Sequence, residues 1–415
     1  MRAVVVGGGL AGLAAALELV ETGHEVTLLE ARPTLGGKVQ TLPRREGDPD
    51  PPPDNGQHVA LGCFYDYLRF VDRIGKLQAL RREELRLPVI DEDGSRAHLG
   101  SGILGLLRYG HLTVRERFEV ARVVRRLGEK NEWDVQDLTF GELLRRLGQS
   151  QRVIERFWDV FVRPALNLRA DEAGANYGIH LVFTALLSKQ KGYSDVLLPT
   201  EPLSVMHGDA ARRALVAAGA NVETDARVDS LDDLAADGMV LAVPPDECAR
   251  LLDEPDVKLG TSPIVSVHLQ FDRVLMPDLV AGLLKSPAHW VFDRGRLTGH
   301  LPEEGQYLTV VSSGAPELLD VRGRELVGVM ADALRGRFGP GELLWSRVSR
   351  EPEATFAARP GTLGLRPKAE TGRPNVVRAG AWTATGWPAT MESAVRSGRT
   401  AARVLLSEMT TRVAA

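Results

Sequence analysis

The chain has 415 residues, of which 44% are hydrophobic and 26% charged, and its formal net charge is −4. This composition excludes a disordered chain, a collagen-like repeat and a disulfide scaffold, and a near-neutral charge gives no basis for nucleic-acid binding. The length fits two or three domains, each with a core of its own. Cys63 and Cys248 are either two reduced thiols, which we favour for a cytoplasmic protein, or one distant disulfide.

The first thirty residues have the order strand, turn, helix, strand. Residues 2–6 predict a buried strand, 13–21 a helix, and 25–29 a second strand followed by Glu30. Glycines interrupt the apolar run 3–17 and only one basic residue precedes it, so we do not interpret it as a signal peptide. The order is that of a dinucleotide-binding βαβ unit.

A G-x-G-x-x-G sequence joins the first strand to the helix. The first glycine permits a tight turn, the second lets the backbone approach a pyrophosphate, and the third lets helix and strand pack closely. Free N–H groups at the helix start would hold the phosphate charge, and the acid after the second strand would bind the ribose hydroxyls. The predicted contacts are Gly7, Gly9, Leu10, Ala11, Gly12 and Glu30.

The same glycine pattern occurs a second time, at 100–105. The segment before it is not typical of a buried parallel strand, and no second strand and acid follow at the right distance. We therefore assign this copy to a loop and helix on the substrate side.

Helices and strands alternate through the rest of the chain. The proline-rich stretch 47–54 predicts a stiff, exposed connection, and 76–195 is mostly helical with arginine-rich faces, which are usually solvated. Residues 264–271 alternate strictly, which predicts a half-covered strand with His268 on its polar surface side. The other predicted elements are helices at 65–74, 203–218 and 391–406 and strands at 239–243, 307–311 and 375–379.

Two short segments resemble the flavin-containing amine oxidase and carotenoid desaturase superfamily. They are Glu30-Ala31-Arg32, at the end of the second strand, and Gly36-Gly37-Lys38. The resemblance implies that the dinucleotide is FAD, that the paired glycines wrap it, and that Lys38 meets its diphosphate. The family usually has arginine there, and lysine keeps the charge without the planar guanidinium. A glycine-rich surface turn with a solvated lysine is the alternative interpretation.

The resemblance also implies the architecture. The fold class is α/β, with a Rossmann-like FAD-binding domain and an inserted α+β substrate domain that combines a mixed sheet with a helical lobe. The FAD-binding domain would comprise 1–75, 196–255 and 365–415, and the substrate domain 76–195 and 256–364. The backbone at Val228 would meet the adenine.

The last strand, the loop 380–390 and the final helix would complete the flavin site. A helix that begins at Met391 can stabilise negative charge near N1 and O2 of the reduced flavin, which a nicotinamide-linked dehydrogenase does not need. Family members usually have Gly-Asp-Trp where this chain has Gly380-Ala381-Trp382. A flavoprotein that has lost its cofactor and acts as a scaffold is therefore one alternative, and a purely structural strand and helix is another.

Four segments resemble one branch of the superfamily, the hydroxysqualene dehydroxylases. They are Asp54-Asn55-Gly56-Gln57-His58, Phe157-Trp158 with Ala165-Leu166-Asn167, 289–294, and 380–390. The resemblance implies that reduced FAD converts hydroxysqualene, a hydrophobic isoprenoid, to squalene with loss of water. A phytoene- or carotenoid-type desaturase and a flavin amine oxidase are the alternatives.

This chemistry needs a proton donor beside the departing hydroxyl group, and general acids typically contribute ~10²–10⁴ in rate. His58 is our first candidate for the acid, and a hydrogen bond to backbone or flavin is an equally open role. Asp54 is the second candidate, although a carboxylate beside a proline run is often exposed. The flavin border would be Asn55, Gly56 and Gln57, the pocket Asn167, Tyr177, Trp290 and Trp387, and no metal site is predicted.

The apolar segment 102–110 precedes an arginine-rich stretch that includes Arg115 and Arg126. Apolar residues beside a basic cluster suit a peripheral membrane contact, and a core helix explains them equally well. The sequence predicts a cytoplasmic protein in both cases and does not determine its oligomeric state.

Overall fold

A computed structural model describes residues 1–128, 134–188 and 190–413. The strands are β1 (Arg2–Val6), β2 (Glu25–Leu29), β3 (Ala60–Leu61), β4 (Leu80–Glu83), β5 (Arg86–Ile90), β6 (Arg96–Gly100), β7 (Val196–Pro199), β8 (Asn221–Glu223), β9 (Gly238–Leu241), β10 (Thr261–Phe271), β11 (Val280–Leu283), β12 (Trp290–Asp293), β13 (Gln306–Ser313), β14 (Leu343–Phe356) and β15 (Val376–Arg378).

The helices alternate with these strands and include three π-helical segments. They are α1 (Leu10–Glu21), α2 (Tyr65–Arg73), α3 (Gly102–Arg108), α4 (Val114–Gly128), α5 (Phe140–Arg146), α6 (Gln151–Val153), α7 (Asp159–Leu166), α8 (Ala175–Leu181), α9 (Ala210–Ala217), α10 (Pro245–Leu252), α11 (Arg294–Thr298), α12 (Gly323–Phe338), α13 (Thr362–Leu365) and α14 (Met391–Val413). The π-helical segments are Ile154–Trp158, Val182–Leu186 and Val205–Asp209.

A parallel sheet in the order β15-β9-β1-β2-β8 forms the first layer. Val5 of β1 pairs with Leu28 on one side and with Val240 on the other, so an almost continuous apolar run is covered on both faces. Helices α1 and α14 contribute fully buried Leu13 and Leu405 to this core. Because all strands point the same way, the loops after β1, β2, β9 and β15 meet at one edge.

A second, mixed sheet has the order β14-β10-β13-β12-β11-β5-β6. Helix α12 packs against the face formed by the odd residues of β10, such as Val267. The prediction that β10 is half-covered is wrong, because Ser266 and His268 on the other face are also completely buried. The segment that contains Asp54 covers this polar face, and His268 donates to the Asp54 carbonyl (2.9 Å).

Strands also occur where the sequence predicted mostly helix. Within 76–195, β5 and β6 extend the mixed sheet, and β4 pairs with β7 in a small sheet of order β3-β7-β4. That pairing crosses the predicted boundary between the two domains. The rest of 76–195 within the described ranges supplies the helical lobe, with buried Phe140, Phe157 and Trp158 in edge-to-face contact.

The second glycine pattern lies between β6 and α3. Strand β6 pairs antiparallel with β5 at the edge of the mixed sheet, so this copy lacks the parallel βαβ setting of a nucleotide site. Cys63 and Cys248 are both buried and unpaired, in agreement with two free thiols. In the described part of the chain, no helix combines the length and the hydropathy that crossing a bilayer requires.

Candidate functional site at the carboxyl edge of the parallel sheet

The two glycine-rich segments of the N-terminal region lie against each other. The Gly36 N–H donates to the Gly8 carbonyl (2.8 Å), next to a parallel bridge between Gly9 and Gly36. A Cβ on Gly37, whose φ is +62°, would lie 2.8 Å from the Gly9 Cα, so only glycine fits there. Together with Gly7, these residues form a surface that consists of backbone alone.

Helix α1 begins directly at this surface. Its first bond runs from the Leu13 N–H to the Gly9 carbonyl (2.9 Å), and the amides of Ala11 and Gly12 have no acceptor among the residues that the structure describes. A Cβ on Gly12 would overlap a carbonyl oxygen of the preceding turn. Free amides at a helix start, reached through a close-packed glycine turn, suit a phosphate anion.

Helix α14 packs across α1 and brings the last segment to the same place. A Cβ on Gly398 would overlap the Ala11 carbonyl oxygen, so the two backbones touch. Met391 precedes Gly398 by seven residues, which puts the start of α14 about 10 Å along the helix from this contact. Helical bonding begins at the Thr390 carbonyl (3.0 Å), so within the described ranges the amides of Met391 and Glu392 lack acceptors.

Two residues predicted to meet the adenosine part lie after β2 and after β8. The Glu30 carboxylate accepts the amides of Gly8 (2.6 Å) and Arg32 (2.8 Å), whereas the side chains of Ala31 and Arg32 are exposed. Val228 is buried, and its carbonyl accepts from Arg250 (3.0 Å). Its own N–H has no acceptor in the described part of the chain, as an adenine contact requires.

Lys38 and Asn55 join the N-terminal region to the edge strand β14. The Lys38 ammonium group donates to the Glu353 carbonyl, and a diphosphate contact would require it to exchange this partner. The Asn55 amide nitrogen donates to the Lys38 carbonyl (2.9 Å) and to a Glu351 carboxylate oxygen (3.2 Å). A Cβ on Gly56 would lie 2.9 Å from the Ser266 hydroxyl oxygen. These contacts hold the segment between the two sheets.

The Asp54 carboxylate is buried and fully engaged, although the sequence suggested an exposed group. One oxygen accepts from Arg294 (2.6 Å), and the other accepts from the Thr41 hydroxyl (2.7 Å) and the Leu203 N–H (3.0 Å). Asp54 and Arg294 are each about 3% exposed, so this is a buried ion pair. A carboxylate with these partners is suited to holding the segment in place, and its prediction as an acid has no geometric support.

His58 is half-buried. It lies close enough to Asp54 and to His207 for electrostatic interaction with both side chains. Burial lowers the pKa of His58, and the Asp54 carboxylate partly offsets this effect. His207 donates from Nδ1 to the Leu203 carbonyl (2.9 Å), accepts from the Tyr67 hydroxyl (2.8 Å), and has a pKa lowered by burial to about 4. Within the described ranges His58 has no hydrogen-bond partner, so its ring is free to meet a ligand.

Two of the predicted pocket residues meet at the end of β14. Asn167, in the left-handed conformation that ends α7, donates to the Thr355 hydroxyl (3.2 Å). Its amide oxygen is buried and accepts no hydrogen bond from any residue that the structure describes. The Tyr177 ring packs against Phe356, with 6.2 Å between ring centroids. The buried Asn167 amide would give the predicted pocket, which is otherwise apolar, one polar point.

The two predicted tryptophans lie on different elements. Trp387 is in edge contact with Phe64 (5.7 Å between ring centroids) and His180 (4.9 Å), and the buried His180 Nε2 has no hydrogen-bond partner among the described residues. Trp290 lies on β12, where a Cβ on Gly282 would lie 3.2 Å from its ring. Trp387 therefore lies in the loop 380–390, which we call the coenzyme loop, whereas Trp290 lies in the mixed sheet.

No role was predicted from the sequence for three buried ionisable residues of this region, Arg294, Arg366 and Glu392. Each is no more than 5% exposed. Arg366 donates to the carbonyl of Trp387 (2.6 Å), and Glu392 accepts the Tyr67 N–H (2.9 Å). An acid in the first turn of a predicted helix could have signalled Glu392. Arg294 ends the segment 289–294 that carries part of the resemblance, but its buried partner Asp54 is remote in sequence. Nothing local signals Arg366.

These features define an FAD-dependent oxidoreductase. The free amides of two helices, the all-backbone glycine surface and the unpartnered Val228 amide fit the phosphates, the flavin end and the adenine of FAD. The chain belongs to the flavin-containing amine oxidoreductase family, whose profile matches residues 10–406. The predicted fold class, cofactor and superfamily are thereby confirmed.

This chain is also similar, over most of its length, to individual proteins of known name. Hydroxysqualene dehydroxylase of Sinorhizobium fredii (strain NBRC 101917 / NGR234) is 28% identical, over 98% of this chain and 99% of its own length. Zeta-carotene desaturase of Zea mays is 24% identical, over 96% and 82%. The structure of putrescine oxidase bound to putrescine gives a TM-score of 0.72 at 16% identity, with 98% and 99% covered, and supports the fold alone.

Proposed function

We propose that this protein reduces hydroxysqualene to squalene with loss of water. The observation that carries the proposal is the full-length similarity to hydroxysqualene dehydroxylases, at 28% identity in two bacteria, together with the four matching segments of the sequence. Bound FAD in its reduced form supplies the hydride that replaces the hydroxyl group, which leaves as water after it takes up a proton. The protein must supply that proton and keep other nucleophiles away.

We assign His58 as the general acid that donates this proton. Its ring has no competing hydrogen bond within the described ranges, and it follows the segment that Asp54 and Asn55 anchor. Because burial lowers its pKa, the charged form is destabilised and the proton is readily given up. His207 is a poor alternative, since both of its ring nitrogens are engaged.

The apolar surface of α3 and α4 is our candidate for substrate delivery. Leu104, Val114 and Phe118 are 67%, 64% and 63% exposed, and Val114 and Phe118 are one helical turn apart. Exposed Arg108 and Arg122 lie on the same two helices. The acids nearby, Glu116 and Glu119, pair with other arginines. Apolar side chains with basic neighbours complement an anionic lipid surface, where a C30 hydrocarbon dissolves.

Anaerobic turnover tests the reaction. Photoreduced enzyme incubated with hydroxysqualene should form squalene, detected by mass spectrometry, while its flavin returns to the oxidised spectrum. Enzyme with oxidised flavin is the control and should form none. If reduced enzyme leaves hydroxysqualene unchanged while oxidised enzyme removes hydrogen from phytoene or ζ-carotene, the proposal is wrong. The desaturase is the second candidate, and the similarity to zeta-carotene desaturases favours it.

Flotation with liposomes tests the delivery surface separately. The protein should float with vesicles rich in phosphatidylglycerol and less with phosphatidylcholine alone, and Phe118→Ser should weaken flotation severalfold. Leu301→Gln is a matched control, since Leu301 is 70% exposed but lies outside α3 and α4. Equal flotation of Phe118→Ser and the unaltered protein would contradict the membrane contact and leave the proposed reaction standing.

A further inference from the structure

Arg366 is a buried cation that has no carboxylate partner in the described part of the chain. The side chains of Arg294, Arg347, Arg378 and Arg399 are buried to a similar degree, and each of those pairs with an aspartate or glutamate. Arg366 is 5% exposed and forms no ion pair among the residues that the structure describes. Its Nε is also buried, with no hydrogen-bond partner within the described ranges. An uncompensated buried charge is strongly unfavourable, so an anion missing from the protein itself is expected nearby.

The guanidinium group lies inside the loop that leads from β15 to α14. It donates to the carbonyls of Trp387 (2.6 Å) and Ala381 (3.0 Å) and to the Thr385 hydroxyl (3.0 Å). The loop, 380–390, contains no acidic residue that could neutralise it. Three of its five N–H groups are thus used to shape the loop, and the Phe356 ring lies against the guanidinium group, 4.8 Å from the ring centroid. This contact carries no negative charge, and none of the described carboxylates pairs with Arg366.

The same loop joins the guanidinium group to the start of α14. The Thr385 hydroxyl, which accepts from Arg366, is 2.6 Å from the Ser393 hydroxyl in the first turn of the helix. The free amides of Met391 and Glu392 begin that turn. A full positive charge and a helix N-terminus therefore converge on the flavin end of the FAD site, where negative charge develops on reduction.

We propose that Arg366 is the counter-charge for the reduced flavin, and that with the start of α14 it stabilises the anion at N1 and O2. The inference rests on the FAD site and not on the identity of the substrate. Arg366 is a positioning and electrostatic residue in this account, and it does not transfer a proton. There are two competing explanations. In the first, Arg366 only holds the loop 380–390 in place through its hydrogen bonds and has no electrostatic effect on the flavin. In the second, it contacts the FAD diphosphate.

Sulfite affinity and reduction potential test the proposal without turnover. Sulfite forms a bond to N5 of oxidised flavin and leaves negative charge at N1 and O2, so it reports the same stabilisation. Arg366→Gln should bind sulfite at least tenfold more weakly, and a tenfold change in the two-electron equilibrium corresponds to about 30 mV in potential. Arg366→Lys keeps the charge and should stay within threefold of the unaltered protein.

Arg337→Gln is the matched control. Arg337 also donates to two backbone carbonyls and has a buried, unpartnered Nε, but it lies on α12, across the mixed sheet from the site. This variant should leave sulfite affinity and potential unchanged. If Arg366→Gln loses FAD while the bound fraction keeps its potential, Arg366 holds the loop or the diphosphate and the proposal is overturned.

If Arg366→Gln does not fold, one measurement on the unaltered holoenzyme still tests the proposal. The photoreduced protein should show the spectrum of anionic reduced flavin at a pH where free reduced flavin is neutral. A neutral reduced spectrum there would overturn the proposal. Failure of the hydroxysqualene reaction would not, since neither sulfite binding nor the spectrum involves that substrate.

Discussion

The coenzyme region and the substrate region are held together by different kinds of interaction. The coenzyme region consists of backbone from segments close together in sequence, such as Gly7–Gly12 and Gly36–Gly37, and its shape depends on the absence of side chains. By the substrate region we mean the segment 54–58 and the face of the mixed sheet that it covers. Polar side chains hold this region together across more than two hundred residues, as Asp54 and Arg294 do. The first kind of site tolerates almost no added atoms, whereas the second depends on charges that must remain paired.

Substitution of Gly12 should break the coenzyme region completely. Gly12→Val adds a branched side chain where even a Cβ would overlap the backbone of the preceding turn, so α1 must move away from β1. We expect purified protein with no bound flavin, measured by absorbance at visible wavelengths, and a lower thermal midpoint. Gly328→Ala in α12 is the control, because its Cβ would meet nothing within 4 Å. Flavin bound at full stoichiometry in Gly12→Val would contradict the account.

Substitution of His58 should affect chemistry and spare the coenzyme region. His58→Ala should lower turnover by ~10²–10⁴, the usual contribution of a general acid, with flavin content unchanged. Because the pKa of His58 is lowered from 6.5, the protonated form grows only as the pH falls, so turnover should rise toward acidic pH in the unaltered protein and lose that rise in the variant. His300→Ala, at an exposed position, is the control. A normal rate in His58→Ala would show that His58 is not the acid.

The contrast also explains what could be predicted from the sequence. Glycine spacing, apolar strands and helix starts are local, so the βαβ unit, the strand β10 and the start of the final helix are found close to their predicted positions, although that helix runs to Val413 and not to 406. The covered polar face of β10 was not predictable, because its partner is the Asp54 segment two hundred residues away. Strands β4 and β5 were missed for the same reason, since they pair with the remote strands β7 and β11. Strand β6 was missed although its pairing with β5 is local.

The ion pair of Asp54 and Arg294 gives a sharper test of the substrate region. Asp54→Asn leaves Arg294 buried and unpaired, which should cost about 3–5 kcal/mol in the free energy of unfolding, measured by urea denaturation. Adding Arg294→Met should cost less than the sum of the single changes, because the unpaired charge is then removed. Asp50→Asn, in the exposed pair with Arg44, should cost less than about 1 kcal/mol. If Asp54→Asn is as stable as the unaltered protein but inactive, Asp54 acts in catalysis instead.

Glu392 combines features of both regions. It is a buried charged residue, as in the substrate region, but it lies in the first turn of α14, directly after the loop 380–390 of the coenzyme region. It is completely buried, and burial raises its pKa from 4.5 to about 7, although Arg396 lies 3.5 Å away. Between these two pH values the folded protein holds a proton that the unfolded chain has released. The contribution of Glu392 to stability is therefore fully present below pH 4.5 and is lost as the pH rises through 7.

Glu392→Gln should remove this dependence, since glutamine can still accept the Tyr67 N–H and carries no charge at any pH. Relative to the unaltered protein, the variant should gain stability between pH 5 and pH 8 by up to about 3 kcal/mol, at about 1.4 kcal/mol for each pKa unit. Urea denaturation at both pH values measures the gain, with exposed Glu303→Gln as the control. A difference that is equal at pH 5 and pH 8 would mean that Arg396 keeps Glu392 charged in the folded protein. The buried carboxylate would then belong with the paired charges of the substrate region.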